Sequence, residues 1–361
     1  MAKHFRVLTV KDIRTETTDC LSVSFIIPGQ WEEEFKFRAG QNITIRASIG
    51  GNEVRRSYSI CSSPFENELR VAIKKVEKGL FSSFAHEFFK PSQKLEVLAP
   101  TGNFTLPLNY SREKHYIAFA AGSGITPVFS LLKTILREEP LSRFTLIYGN
   151  KNRSSVIFRE ELMALKNNYP ERFQLIPVFS REKTDASIFE GHIDAAKCDI
   201  IFNQLLAISP DQEYLLCGPA PMIFAVRDWL LAHQVEVKKI HFELFSDPGE
   251  SATALPVNRV SKKEQNAEKS LVTIRLDGIS SDYQIPVDGP TILEAAIQAG
   301  ADLPYACRAG VCASCRAKLV SGKVTMDQNY ALADEELEEG FILACQAHPA
   351  SEKLLIDFDI R

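Results

Sequence analysis

The residues of this chain best placed to do chemistry are four cysteines in its last quarter, Cys307, Cys312, Cys315 and Cys345. Three share one loop with the spacing Cys-x4-Cys-x2-Cys, and the fourth lies downstream. That is the plant-type ligand pattern of a [2Fe–2S] cluster, in which a tight loop and one distant thiolate wrap two bridged irons. The competing reading, a structural zinc site, prefers paired short spacings. Ala306, Ala309, Gly310, Ala313 and Ser314 are small enough for backbone amides to face the sulfurs.

A second kind of chemistry is phosphate binding. Gly122-Ser123-Gly124-Ile125-Thr126-Pro127 follows an apolar run and opens a helical pattern, so a phosphate could approach the amides at a helix N-terminus. Pro127 suits a first helical turn. The turn lacks the third glycine of the dinucleotide fingerprint, and alone it also fits a plain strand–helix turn. After the next strand, an NAD site usually carries an acid for the ribose hydroxyl. Here Tyr148 is followed by Gly-Asn-Lys-Asn-Arg153-Ser-Ser, and later by Ser180-Arg181. Hydroxyls and guanidinium groups suit a 2′-phosphate, so NADPH is expected over NADH, although a solvated basic loop has the same composition.

The third set is Arg56-Ser57-Tyr58-Ser59. An aromatic beside hydroxyls, with a cation two residues earlier, can stack on a flavin ring and bond its polar edge. Gly79-Leu80-Phe81-Ser82-Ser83 opens a helix and offers another anion site. Each, taken alone, also fits an ordinary strand or a helix cap.

The elements that must position these sets fall into three regions. Residues 1–108 carry short alternating runs (Arg6–Val10, Cys20–Ile26, Asn42–Ala47, Arg55–Ile60, Leu69–Lys75, Lys94–Leu98) and one helix at Leu80–Phe89, the pattern of an antiparallel barrel or sandwich. Residues 109–246 alternate strands and helices, which means a parallel sheet covered on both faces, with ligands beyond the strands' carboxyl ends. Residues 247–269 read as a linker rich in Pro, Ser, Ala and charge. Residues 270–361 are α+β: two strands, a capped helix at Thr291–Ala299, the cysteine loop, short strands and a small acidic helix.

Charge follows the same division. Ser270–Arg361 holds 7 Lys+Arg and 14 Asp+Glu, a balance of −7 within a chain whose net charge is −4. Such a balance gives no reason to expect nucleic acid as a partner. No apolar stretch approaches the ~20 residues of a membrane span, and the N-terminus lacks a signal peptide's apolar core. A cytoplasmic location is expected, where clustered cysteines bind metal rather than form disulfides.

Together the motifs resemble the ferredoxin–NADP reductase superfamily up to about residue 246 and plant-type ferredoxins from about 270. Arg56-x-Tyr58-Ser59 is similar to the flavin signature, and Gly79-x-x-Ser82 to the stretch that holds the flavin pyrophosphate. Gly122-x-Gly124-x-x-Pro127 and Cys217-Gly218-Pro219-x-Pro221-Met222 resemble the pyridine-nucleotide motifs, and Ser180-Arg181-Glu182 the 2′-phosphate contact. The order of modules is that of reductase components of multicomponent oxygenases, most similar to the phenylacetyl-CoA epoxidase reductases. The resemblance implies a multi-domain chain: an antiparallel β-barrel flavin domain, an α/β nucleotide domain and a β-grasp ferredoxin domain. It implies FAD, NADPH and a [2Fe–2S] cluster as cofactors and a diiron oxygenase component as partner. The reductase of a ring-hydroxylating dioxygenase or steroid hydroxylase shares the same motifs, and a flavin-based redox sensor is a reading of another class. Cys217, Glu243 and Ser59 are expected where nicotinamide meets flavin. Phe245 stands where plant reductases end in a tyrosine. The acidic run Asp334, Glu335, Glu336, Glu338, Glu339 is either a docking face for the oxygenase or a solvated helix face.

Overall fold

In this computed structural model, which describes residues 4–245 and 269–360, the alternating runs of the first region become six antiparallel strands. They are β1 (Phe5–Thr17), β2 (Cys20–Ile26), β3 (Asn42–Ile49), β4 (Asn52–Ser59), β5 (Leu69–Lys74) and β6 (Lys94–Thr101), in the order β4-β3-β6-β1-β2-β5. Every second residue points inward, so that Val23, Ile43, Ile45, Val71, Ile73 and Val97 form one buried cluster. Just past β4, Ile60 bridges Val71, and the Cys61 N–H donates to the Arg70 carbonyl at 2.9 Å. These contacts close the sheet into a barrel. The helix α1 (Leu80–Phe88) begins with Gly79 at its N-cap position.

The second region forms a parallel sheet of β7 (His115–Ala121), β8 (Arg143–Asn150), β9 (Phe173–Phe179), β10 (Gln212–Gly218) and β11 (Ile240–Leu244), in the order β11-β10-β7-β8-β9. Its helices are α2 (Ile125–Glu138), α3 (Arg159–Asn168), α4 (Ala195–Gln204) and α5 (Ala220–Ala232). Chain order reverses between β7 and β10, which leaves a crevice beyond their carboxyl ends. Helix α2 is buried nearly all round because it is wedged between sheet and barrel. Val128, Leu131, Leu132 and Ile135 share one cluster with Ala39, Ala72 and Phe104, each large side chain contributing roughly 1.5–3 kcal/mol by burial. The Ser130 hydroxyl also donates to the Ser62 carbonyl at 2.6 Å, and the Ser63 and Thr134 hydroxyls bond at 3.0 Å. Barrel and sheet are thereby joined.

The third region contains β12 (Lys269–Leu276), β13 (Ile279–Pro286), α6 (Ile292–Gln298), β14 (Arg316–Ser321), β15 (Val324–Met326), α7 (Asp334–Glu338), β16 (Phe341–Leu343), β17 (Ala347–Pro349) and β18 (Lys353–Asp357). Its main sheet has the order β13-β12-β18-β14-β16, with β12 and β18 parallel and the other neighbours antiparallel. Helix α6 buries Ile292, Leu293 and Ala296 against it, the arrangement of a β-grasp. Thr291 caps α6, its hydroxyl accepting the Glu294 N–H at 3.3 Å. The expected linker 247–269 lies outside the described residues, except for Lys269 at the start of β12.

Candidate functional site

The three regions meet at one cavity. Arg56, Ser57 and Ser59 of β4 form one wall, Glu243 and Phe245 at the end of the parallel sheet a second, and Cys307 and Cys312 of the cysteine loop a third. A larger cavity between β5 and α3 contains none of the motif residues, and its cations Arg14, Arg70 and Lys133 are already paired with Asp12, Glu68 and Glu66.

On the barrel side, Ser59 ends β4 and its hydroxyl donates to Glu243 Oε2 at 2.7 Å. Asn42 faces Ser59 across the β3–β4 ladder and is a second hydrogen-bond partner of Glu243. The motifs give no hint of Asn42; its only signal is a polar residue heading an apolar strand. Gly102, with φ +104°, makes room for it, since a Cβ there would lie 2.6 Å from Asn42 Nδ2. Arg56 lines the cavity and donates to the Arg55 carbonyl at 2.8 Å. The Tyr58 ring lies 5.8 Å from that of Phe81 on α1. Ser82 turns inward to accept the Val76 N–H at 3.1 Å, and the Ser83 N–H donates to the Gly79 carbonyl at 3.1 Å. Ser82 thus fixes the entry to α1.

On the nucleotide side, Gly122–Gly124 forms a single 3-10 turn between β7 and α2. A Cβ on Gly124 would lie 2.1 Å from the Cys217 carbonyl oxygen, and one on Gly218 would lie 2.7 Å from Met222 Cε. Glycine at both positions lets the two motifs abut at the crevice. The Thr126 hydroxyl donates to the Ser123 carbonyl at 3.0 Å, Pro127 sits in the first turn of α2, and Pro219 is the N-cap residue of α5. Cys217 pairs with Glu243 in the β10–β11 register and is fully buried. Burial first, and the Glu243 carboxylate second, hold its thiol well above the usual range, so it stays protonated and is no nucleophile.

Further along the rim, the loops after β8 and β9 are zipped together. The Ser180 N–H donates to the Asn150 carbonyl at 2.9 Å and the Arg181 N–H to the Lys151 carbonyl at 2.8 Å. Glu182 accepts both the Arg153 N–H at 2.8 Å and its Nε at 3.0 Å. Arg153 and Arg181 are both exposed there.

The cysteine loop coils through left-handed residues, Arg308 at φ +55°, Gly310 at +74° and Ala313 at +53°, which turn its amides inward. The Ala309 N–H donates to Cys307 Sγ at 3.3 Å and the Cys307 N–H to Cys312 Sγ at 3.5 Å. Gln346, next to Cys345, pins the loop by donating to the Arg308 carbonyl at 2.9 Å. Cys307 hydrogen-bonds both Cys312 and Cys345, and Cys345 bonds Cys315. The bond with Cys307, together with burial, drives the Cys312 thiol well above its usual pKa. Among the described residues, no three His, Cys, Asp or Glu groups converge as one metal ion would require. The four sulfurs are instead linked as a chain, Cys312–Cys307–Cys345–Cys315, with amides aimed at Cys307 and Cys312, and this donor set suits a [2Fe–2S] cluster, which takes two thiolates per iron.

The Glu243 carboxyl is buried beside Cys312. Loss of hydration raises its pKa to about 7, against the lowering effect of the Ser59 and Asn42 hydrogen bonds.

Three family models match: an oxidoreductase FAD-binding domain over residues 7–106, an oxidoreductase NAD-binding domain over 119–228 and a 2Fe-2S iron-sulfur cluster binding domain over 274–350. The chain is 41% identical to a component of the 1,2-phenylacetyl-CoA epoxidase of Escherichia coli, over 99% of this chain and 98% of that protein. It belongs to the ferredoxin–NADP reductase superfamily, fused to a plant-type ferredoxin. The reductase is also 33% identical to the ferredoxin reductase component of 3-ketosteroid-9-alpha-monooxygenase from Rhodococcus rhodochrous, over 98% of this chain and 96% of that one. The fold of phthalate dioxygenase reductase matches with a TM-score of 0.57 at 24% identity, over 98% of both chains.

In the reductase the acidic run divides. Glu336 turns inward to Arg316 at 2.8 Å, the Ala333 N–H at 3.1 Å and the side chain of Asn103 on the barrel. Asp334, Glu335, Glu338 and Glu339 are exposed. Among the described residues, no helix is long and apolar enough to cross a membrane.

Proposed function

We propose that the reductase takes electrons from NADPH into FAD and passes them singly, through its [2Fe–2S] cluster, to the diiron oxygenase component of a phenylacetyl-CoA epoxidase in the cytoplasm. The observation that carries this reading is the single cavity walled by β4, the end of β11 and the cysteine loop. When bound, the flavin and the cluster supply the conversion of a two-electron donor into one-electron steps.

The chain's own task is to hold and orient. Arg56, Tyr58, Ser59, Gly79, Ser82 and Ser83 seat the flavin. Gly122, Gly124, Thr126, Pro127, Gly218, Pro219 and Met222 shape the nucleotide crevice, and Arg153, Ser180 and Arg181 take the 2′-phosphate. Cys217, Glu243 and Ser59 define where the two rings meet, and Phe245 shields that place. Bringing the rings to near-attack distance is most of the catalysis. With its carboxyl pKa raised to about 7, Glu243 takes up a proton as pH falls below neutral, which removes an unpaired negative charge from the pocket. The exposed carboxylates of α7 steer the oxygenase toward the ferredoxin domain.

The 33% match to a ketosteroid monooxygenase reductase favours a second reading, in which the partner is a steroid hydroxylase. Mixing the purified reductase with the oxygenase components of each system separates them. NADPH oxidation in step with phenylacetyl-CoA consumption is expected; coupling only to the steroid system would replace the first reading. Cofactor-loaded protein that fails to turn over NADPH with any one-electron acceptor would favour a redox sensor.

A further inference from the structure

Arg55 belongs to none of the motifs, yet its side chain is only 4% exposed. Within its own barrel, Nε bonds Glu53 at 2.7 Å, and the guanidinium lies 4.9 Å from the Phe5 ring. Both terminal nitrogens bond the ferredoxin domain. Nη1 donates to the Leu303 carbonyl at 3.0 Å, Nη2 to Asp302 at 2.9 Å, and the guanidinium lies 4.2 Å from the centre of the Tyr305 ring. Arg308 of the cysteine loop lies 4.5 Å from the same ring. Tyr305 is two residues before Cys307, and Arg308 is one after it. Arg55 directly precedes Arg56, a wall of the cavity. One stack, Arg55–Tyr305–Arg308, therefore ties the flavin-side strand to the cysteine loop.

We propose that Arg55 is a positioning residue: through Tyr305 it holds the cysteine loop against the cavity, so that an electron leaving the reduced flavin reaches the oxidised cluster directly. The inference rests on the reading that flavin occupies the cavity. Asp302 is 76% exposed, so its ion pair adds little. The buried carbonyl and the ring are the contacts that matter, because a planar fork satisfies both together. Nearby, the hydroxyls of Thr44 and Ser314 bond at 3.3 Å, a further polar contact between barrel and cysteine loop.

The test uses the full, cofactor-loaded chain with Arg55→Leu, Arg55→Lys and Tyr305→Leu. Rapid mixing with NADPH follows the bleaching of flavin and cluster separately, and small-angle scattering measures docking without turnover. Flavin bleaching at the native rate is expected, with cluster reduction slowed about tenfold or more in Tyr305→Leu, which loses the cation–π contact, and by a larger factor in Arg55→Leu, which also loses the charge-assisted hydrogen bond. The radius of gyration should rise in both. Arg55→Lys, which keeps the charge and loses the fork, should fall between. Native cluster reduction with unchanged scattering in both variants would overturn the proposal. So would equal slowing of flavin and cluster, since that would make Arg55 part of the flavin seat. NADPH-driven flavin bleaching in the native chain tests the parent reading separately.

Discussion

Ser59 and Glu243 are 184 residues apart and belong to different domains, yet the serine hydroxyl donates to the carboxylate at 2.7 Å. The bond spans the boundary between barrel and parallel sheet, and the carboxyl it meets is raised to about 7, chiefly by burial. The folded chain therefore binds that proton more tightly than the unfolded chain, whose glutamate titrates near 4.5. The stabilisation is complete below about pH 4.5 and is lost as pH rises through 7, about 3 kcal/mol in all. In Glu243→Gln that part of the pH dependence should vanish. Thermal unfolding from pH 5 to 8 checks it; a variant whose curve still parallels the native one would refute the assignment.

Cys345→Ser should remove the cluster and leave flavin reduction standing. The thiolate comes from beyond β16, far in sequence from the seat of the flavin. NADPH-to-ferricyanide activity should survive within about twofold, while cytochrome or oxygenase reduction falls by a factor on the order of a hundred or more. Stripping iron from the native protein with a chelator should reproduce that split.

Gly124→Ala should destabilise the nucleotide domain. Its methyl group would sit 2.1 Å from the Cys217 carbonyl oxygen, a backbone atom held between β7 and β11 at the carboxyl end of β10. Helix α2 would have to shift, and α2 is the wedge between sheet and barrel. Overpacking of this kind costs about 1–3 kcal/mol. Denaturant titration should show a lower midpoint, and the KM for NADPH should rise.

Removing the rim guanidinium groups should change which nucleotide is preferred. A charge-assisted hydrogen bond to phosphate is worth about 1.5–3 kcal/mol, so Arg181→Gln should raise the KM for NADPH roughly tenfold or more and leave that for NADH nearly unchanged. Arg153→Gln should act in the same direction and more weakly, since Glu182 already holds that side chain. Equal losses with both nucleotides would count against a 2′-phosphate site here.

Neutralising Asp334, Glu335, Glu338 and Glu339 together should slow electron delivery to the oxygenase at low salt and converge with the native rate as salt rises, because exposed charges beyond ~10 Å are screened at 0.1 M. Intramolecular cluster reduction should not change.

Much of this architecture can be read from the sequence because local pattern and tertiary role agree. Strand–helix alternation in residues 109–246 yields the parallel sheet β7–β11 and its helices, since a doubly covered sheet needs continuous apolar strands such as Tyr116–Ala120. The cysteine spacing, likewise, is fixed by what two irons need. Contacts between domains are not legible. Arg55 and Arg56 look alike on one strand, and only the packing of a distant domain shows that they serve different neighbours. Asn42 is a lone polar residue until Glu243 arrives from β11. Ser82 reads as a ligand group by type, and the sequence does not show that its oxygen also accepts the Val76 N–H. Glu336 sits in a run of five acids, and the positions of Arg316 and Asn103 alone select it to turn inward.

The cysteine loop forms a wall of the same cavity that β4 lines, and this bears on molecular oxygen. If flavin sits there as proposed, Cys307 and Cys312 would roof it and leave dioxygen one fewer way in. The protein's thrift with reducing power then depends on how long that roof stays shut. Hydrogen peroxide released per NADPH consumed, without any oxygenase present, should be low in the native chain and climb wherever the roof is loosened.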